Sequence, residues 1–384
     1  MENPYVRAAE LEKESDAVLK TITEMTAIES PTTDKEACNR MAGFLQQKID
    51  QLGLKTKRVS NTDFGDHVVA ELTAAENKDQ PGILLLGHYD TVWPMGELYK
   101  RPIRLEASRL YGPGIYDMKS GIALAIQAME YFQRNNLRPK LPITMLWNSD
   151  EELGSPDSQG LIETMAKKSK YVLVFEPGDL PNGAVNTFRK GAMSFKIDIT
   201  GKSAHAGGNH QQGLNAIGEL AHHIITLENM TDYRVGTTIN VGVVKGGTRS
   251  NVVAESAAAE IDVRTPTAEE SERLKRFIQG LAPTKKGFDL EISQLKYRPP
   301  LERHDKVIEL YEKARRAAND LNLTLPERSS GAASDGNFTA ALGIATLCGI
   351  GAVGEGAHAI HENIAIDWLP KRLALIIRLL QTLD

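Results

Sequence analysis

The 384-residue chain reads as an α/β protein. A discontinuous domain, with a central mixed sheet flanked by helices, carries a smaller domain inserted into it. Three observations predict this. Apolar runs of strand length alternate with helix-period segments through the first half, the mark of an α/β layered domain. After Gly191 the strands switch to strict apolar–polar alternation, and their order with the helices is β-α-β-β-α-β, the ferredoxin-like arrangement. After Arg298-Pro299-Pro300 the first pattern returns. The predicted division is 1–189 with 300–384 for the larger domain and 190–299 for the inserted one.

The elements follow in order. Val18, Leu19, Ile22 and Met25 give residues 5–29 a helical period. Thr33-Asp34-Lys35-Glu36 reads as a capping box opening a second helix that stops at Gly53. Strands are expected at 67–72 and 82–87, a helix from Lys119 to Tyr131, and a strand from Pro142 to Trp147. A short helix at 158–167 and a buried strand from Tyr171 to Phe175 complete this half. In the inserted domain, strands are expected at Met193–Ile199, Thr238–Val244, Ala257–Val263 and Phe288–Ile292. Its helices run from about Leu214 to Leu227 and from the Thr267 cap to about Leu281. A helix at 304–320, a Gly/Ser-rich turn, a strand-like run from Ile344 to Ile350 and a helix opening at Pro370 end the chain.

Composition narrows the function classes. The net charge of -5, without any Lys/Arg block, argues against a nucleic-acid partner. No apolar run approaches the roughly 20 residues that cross a bilayer, so no membrane partner is expected. The first residues lack the apolar core of a signal peptide. With only Cys38 and Cys348, both expected as reduced buried thiols, a cytoplasmic setting follows.

The chemistry gathers at strand ends. Gly87-His88-Tyr89-Asp90-Thr91-Val92 follows the apolar run Gly82-Ile83-Leu84-Leu85-Leu86. Asp117 sits in a Gly-rich turn, Glu151-Glu152 follows a second apolar run, Glu176 a third, and His358 lies near the end. Open α/β sheets place ligands at such strand ends. Carboxylates and imidazoles without thiolates suit zinc, with manganese or cobalt as alternatives. Two divalent ions roughly 3.5–4 Å apart can share a carboxylate and polarise a carbonyl.

Several further motifs join these in the same order: Tyr111-Gly112-Pro113-Gly114-Ile115-Tyr116-Asp117-Met118-Lys119-Ser120-Gly121, Ser149-Asp150-Glu151-Glu152-Leu153-Gly154-Ser155, Phe175-Glu176-Pro177, Gly201-Lys202-Ser203-Ala204-His205-Ala206-Gly207 and Asp262-Val263-Arg264. Together they resemble the dinuclear zinc exopeptidases, the family of aminoacylase, carboxypeptidase G (glutamate carboxypeptidase) and succinyl-diaminopimelate desuccinylase, and are most like carboxypeptidase G.

The resemblance implies two divalent metal ions. His88 and Glu176 would serve one, Glu152 and His358 the other, and Asp117 would bridge them. Asp90 would orient His88. Glu151 would be the general base that activates a metal-bridging water. A cis peptide is implied at Asp117-Met118. The inserted domain would be a lid and dimerisation surface of a homodimer, with His205 donating to the oxyanion. Asn251, Arg264 and Arg298 would bind the substrate, the two arginines clamping its carboxylate. For the last metal ligand, Gly354-Glu355-Gly356-Ala357-His358-Ala359-Ile360-His361-Glu362 compares with a usual Gly-x-His-Ser-x-x-Glu, which selects His358 over His361.

Two departures bear on substrate choice. Gly208-Asn209-His210-Gln211-Gln212 replaces the usual Pro-Glu, and Arg189-Lys190 stands where carboxypeptidase G lacks a basic pair. His67, His210, His222, His223 and His304 are expected to be solvated surface. The implied activity is hydrolysis of an amide or peptide bond next to a free C-terminal carboxylate, on a short peptide or N-acyl amino acid. The alternatives are an N-acyl-amino-acid deacylase or di/tripeptidase and, more remotely, a non-catalytic binding protein, which would be expected to lose Glu151.

Overall fold

A computed structural model describes residues 11, 13–72 and 80–384. The expected start of the first helix at residues 5–10 lies outside the described residues. The chain divides into two compact units: 1–188 with 303–329 and 334–384, and 189–302 with 330–333.

The first unit is built on an eight-stranded mixed sheet. Its order is Lys55–Val59, His67–Leu72, Ile143–Asn148, Gly82–His88, Ser169–Val174, Ala345–Cys348, Val185–Arg189, Glu327–Ser330. Four central strands are mutually parallel. Their apolar runs are buried because helices cover both faces of such a sheet. Leu84, Leu85, Leu86, Leu173 and Val172 have no exposed surface. Each such side chain contributes about 1.5–3 kcal/mol on burial.

The register aligns the strand ends that matter. His88 lies opposite Asn148, and Leu86 opposite Val174. The chain therefore turns out of three neighbouring strands at one rim, where His88, Glu151-Glu152 and Glu176 follow. Helix Ser120–Arg134 buries Ile122, Leu124, Ala125, Ile126 and Met129 beneath them. It enters through a π-helical turn, Ile115–Lys119, that starts from left-handed Gly114 and contains the cis Asp117–Met118 peptide. Gly121 lets this helix approach the backbone oxygen of Phe175, which a Cβ would meet. A five-stranded sheet holds the hairpin Val353–Glu355 and Asn363–Ala365, whose connecting loop carries His358.

The second unit is a four-stranded sheet with order Thr238–Gly246, Ser256–Thr265, Gly191–Thr200, Asp289–Arg298, every neighbour antiparallel. Met193, Phe195, Ile197 and Ile199 alternate into a core shared with Leu220 and Leu227 of one helix and Leu274 and Ile278 of another. Those helices, Ala216–Glu228 and Ala268–Gln279, are capped by Asn215 and Thr267 side chains accepting backbone N–H bonds.

Three expectations need correction. The helix Lys35–Asp50 is capped by Asp34, which accepts from the Ala37 N–H at 2.9 Å, not by Thr33. His67 is 1% and His223 4% exposed, so neither is solvated surface. His67 Nε2 lies 2.8 Å from Asp157, and His223 Nε2 3.3 Å from Glu219 one helical turn away. The edge strand Lys55–Val59 escaped the periodicity reading, since Lys-Thr-Lys-Arg-Val has no apolar alternation.

Candidate metal centre

Asp117 is the centre of the cluster. One carboxylate oxygen lies 3.2 Å from His88 Nε2, and the other 3.5 Å from His358 Nε2. Behind His88 stands Glu176, with Oε1 3.8 Å from Nε2. Behind His358 stands Glu152, with Oε2 3.1 Å from Nε2. One atom each of His88, Asp117 and Glu152 falls within 4.8 Å of the others. The five residues therefore form two imidazole–carboxylate pairs that share Asp117.

Asp90, fully buried, organises the second layer. His88 Nδ1 lies 3.1 Å from the Asp90 backbone oxygen and 3.4 Å from Oδ1. That places the ring proton on Nδ1 and leaves Nε2 facing Asp117. The same carboxylate accepts the backbone N–H of Glu151 at 3.4 Å and of Glu152 at 3.2 Å. Thr32 Oγ1 donates to Oδ2 at 2.7 Å. One carboxylate thus ties His88 to the turn bearing the expected base. The far side of that turn is held by Asp335, which accepts from Asn148 Nδ2 at 2.7 Å and from the Ser155 hydroxyl. Neither Thr32 nor Asp335 was singled out from the sequence. A Ser-Asp-Gly in the Gly/Ser-rich turn was the one available signal for the latter.

The charge state follows from this packing. Burial opposes a charge on His88, yet hydrogen bonds to Asp117 and Asp90 and the charge of Glu151 raise its pKa well above the ordinary range. Asp117 is driven the other way: burial favours its acid form, but His358 and His88 hold it below the usual carboxylate range. Burial pushes Glu152 up to about 7, against the opposing His358 hydrogen bond. Asp117 and Glu152 raise His358 to about 10.

The donor set fits divalent cations. It is hard oxygen and imidazole nitrogen without sulfur, and it holds positive charge on His88 and His358 where a cation would replace protons. Glu152 Oε1 is also buried and makes no hydrogen bond within the protein, which suits it to ligate a cation.

The remaining predicted residues belong to the second unit. His205 is exposed, and its Nδ1 accepts the N–H groups of Gly207 and Gly208 at 3.1 and 3.0 Å. Its Nε2 therefore carries the proton of the neutral ring. Asn251 is exposed and accepts the Ala206 N–H through its backbone oxygen. Arg264 and Arg298 stand opposite Ala192 from either side in the antiparallel register, and so share one sheet face. Asp262 grips the Arg264 fork at 2.8 and 3.0 Å, and Arg298 is 8% exposed.

Peptidase family M20/M25/M40 matches residues 84–382. The chain belongs to this family. It is 30% identical over 376 residues to carboxypeptidase G2 of Pseudomonas sp. (strain RS-16), covering 96% of this chain and 90% of that one. It is 28% identical over 387 residues to the succinyl-diaminopimelate desuccinylase of Dechloromonas aromatica, covering 96% and 99%. The structure of the Bacillus cereus aminopeptidase PepT superposes with a TM-score of 0.77 at 23% identity, over 96% of this chain and 98% of that one. That likeness establishes the shared α/β fold. Membership in M20/M25/M40 makes the chain a hydrolase of the metallopeptidase type. Among the described residues, no helix is long and apolar enough to cross a membrane.

Proposed function

We propose that this chain is a dinuclear metal hydrolase that cleaves an amide or peptide bond next to a free C-terminal carboxylate, in the manner of a glutamate carboxypeptidase. The observation that carries the proposal is Asp117, with one oxygen toward His88 and the other toward His358. His88 and Glu176 would hold one ion, Glu152 and His358 the other, and Asp117 both. Zinc is the leading ion, with manganese or cobalt as alternatives. Bound ions would polarise the scissile carbonyl and acidify a water. Glu151, buried beside Asp90, takes the proton of the attacking water and passes it to the leaving nitrogen. Asp90 keeps His88 in the Nδ1–H form throughout.

We read the second unit as a ferredoxin-like lid and dimerisation surface, supported by its strand order and by exposed Val243 and Val244 on its edge strand. His205 Nε2–H donates to the oxyanion in the active site of the partner subunit. Asn251, Arg264 and Arg298 bind substrate, with the two arginines across Ala192 receiving its carboxylate. A substrate carboxylate must take Arg264 from Asp262. The cytoplasmic setting is part of the same reading, supported by Cys38 and Cys348 both being free thiols.

Glu151→Ala tests the assignment. The variant is expected to keep its metals and lose at least about 10²-fold in turnover on N-acyl glutamates and dipeptides. Comparable turnover removes Glu151 from the role of base, and a metal-replete wild type inactive on the whole panel sinks the activity. The desuccinylase likeness favours an N-acyl-amino-acid deacylase as the second reading. Paired assays on a dipeptide and its N-acetyl form separate that reading from a di/tripeptidase.

A further inference from the structure

Glu362 is 1% exposed, and its carboxylate collects four donors from two other segments. Oε1 accepts the backbone N–H of Tyr116 at 2.9 Å and of Asp117 at 3.1 Å. Oε2 accepts the N–H of Gly114 at 2.8 Å and the Trp93 indole N–H at 2.7 Å. An ionised carboxylate has about four lone-pair sites, so these donors saturate it.

Each donor has a reason to need it. Gly114, Tyr116 and Asp117 lie at the start of the helical turn, where N–H groups point out of the helix with no carbonyl behind them. Asp117 has φ -116° and ψ 98°, outside helical values, so the turn does not fix that residue by itself. A negative charge at this end also meets the positive pole of the helix that follows. Glu362 therefore caps from another part of the chain a turn whose own residues do not cap it.

The other end of Glu362 leads to His358. Two successive turns join them: the Ala359 N–H bonds the Gly356 carbonyl at 2.9 Å, and the Glu362 N–H the Ala359 carbonyl at 3.0 Å. The Glu362 carbonyl accepts from Gly112 at 3.4 Å, so backbone and side chain both clamp the two segments.

We propose that Glu362 is a positioning residue that sets Asp117 and His358 at the separation at which both can hold the same metal ion. It rests on the dinuclear reading above. Glu362 touches neither substrate nor metal; it acts through the two residues it locks together. An amide at this position keeps the volume but puts an NH₂ against two donors, releasing either the 116–117 pair or the Gly114–Trp93 pair.

The test is titration of metal-free protein with Co²⁺, following the visible absorption of the bound ion, alongside thermal unfolding of the metal-free forms. Glu362→Gln is expected to bind Co²⁺ about 10–100-fold more weakly than wild type and to change the absorption band. Glu362→Asp, which keeps the charge on a shorter arm, should fall between. If wild type takes up no Co²⁺, the dinuclear reading itself fails. If wild type binds two equivalents and Glu362→Gln binds them equally well with the same band, the dinuclear reading stands and the role of Glu362 is overturned. A lower melting temperature with unchanged Co²⁺ affinity also overturns it, because that is the signature of a strut. Should Glu362→Gln fail to fold, Trp93→Phe decides. It removes one donor of the four and is expected to weaken Co²⁺ binding about threefold, the worth of one modest hydrogen bond. An affinity equal to wild type overturns the proposal.

Discussion

Replacing Asp90 by Asn is the sharpest single perturbation of this site, because it changes two atoms' chemistry and almost no volume. Asp90 is fully buried, and both oxygens are engaged: Oδ1 with His88 Nδ1 and the Glu151 N–H, Oδ2 with the Glu152 N–H and the Thr32 hydroxyl. Asn must turn its NH₂ toward one pair. The Oδ2 side costs less, since the Thr32 hydroxyl can rotate and accept, whereas His88 Nδ1–H and the Glu151 N–H cannot. The Glu152 N–H then stays buried without an acceptor, at a cost of about 1–3 kcal/mol in stability. His88 loses its charged partner as well, and outer carboxylates of this kind are worth about 10–100-fold in metal affinity or activity. At 1.36 kcal/mol per tenfold, that is about 1.4–2.7 kcal/mol. The assay is kcat/KM on an N-acyl glutamate at saturating metal, with metal affinity by titration of the stripped protein. Thr32→Val, which removes the hydroxyl alone, should lose less in both. An Asp90→Asn enzyme within about threefold of wild type in both quantities would refute the coupling of His88 to the Glu151-Glu152 turn, since the threshold is well under the expected tenfold.

Three further outcomes follow from the same geometry. In the metal-free protein, Glu152 is raised from 4.5 to about 7 and His358 from 6.5 to about 10, so each stabilises fully below its ordinary value and loses that contribution as pH climbs through the raised one. The thermal stability of stripped protein should therefore fall from about pH 4.5 upward, while metal affinity rises over the same range because binding displaces those protons; a pH-independent metal affinity would contradict this. Gly121→Ala would drive a Cβ into the Phe175 carbonyl oxygen, costing about 1–3 kcal/mol and displacing the adjacent Glu176, which unfolding and metal titration together would detect. Asp335→Ala strips the acceptor from Asn148 and Ser155, at about 1–3 kcal/mol for each donor left buried; kcat should fall more than KM changes, and an intact kcat would show that the turn holds Glu151 without it.

What the sequence made legible follows the range of the forces involved. His88, Glu151, Glu152 and Glu176 could be found because each follows an apolar run, and a parallel strand buried on both faces has to be such a run. The strand-end rule then brings them together without any knowledge of contacts. Asp117 and His358 sit on irregular turns, where periodicity is silent, and the motif resemblance was needed to give them roles. The hydrogen-bonded supports were invisible for a different reason. Thr32 reaches Asp90 across 58 residues, Asn148 reaches Asp335 across 187, and Asp117 reaches Glu362 across 245. No local pattern encodes partners so distant. The Asp34 cap was missed by one residue because Thr33 and Asp34 are both competent caps, and backbone geometry alone chooses. His67 looked like surface because a lone histidine carries no sign of the Asp157 it faces.

The same packing gives the proposed cations a part in the fold as well as in the reaction. Asp90, Asp117, Glu151, Glu152, Glu176 and Glu362 are drawn into one rim by strand register and helix capping, all within the first unit. Like charges crowded into one low-dielectric site oppose one another's ionisation. Burial has already pushed Glu152 and Glu362 up, while Asp117 stays ionised only because His88 and His358 face it. Protons on two histidines are a weak answer to that charge, and they are lost as pH rises. On the proposed reading, divalent ions held by the same atoms would supply the compensation at every pH where the ligands are deprotonated. The metal-free protein should therefore be the less stable form, most markedly above about pH 7, where Glu152 gives up its proton.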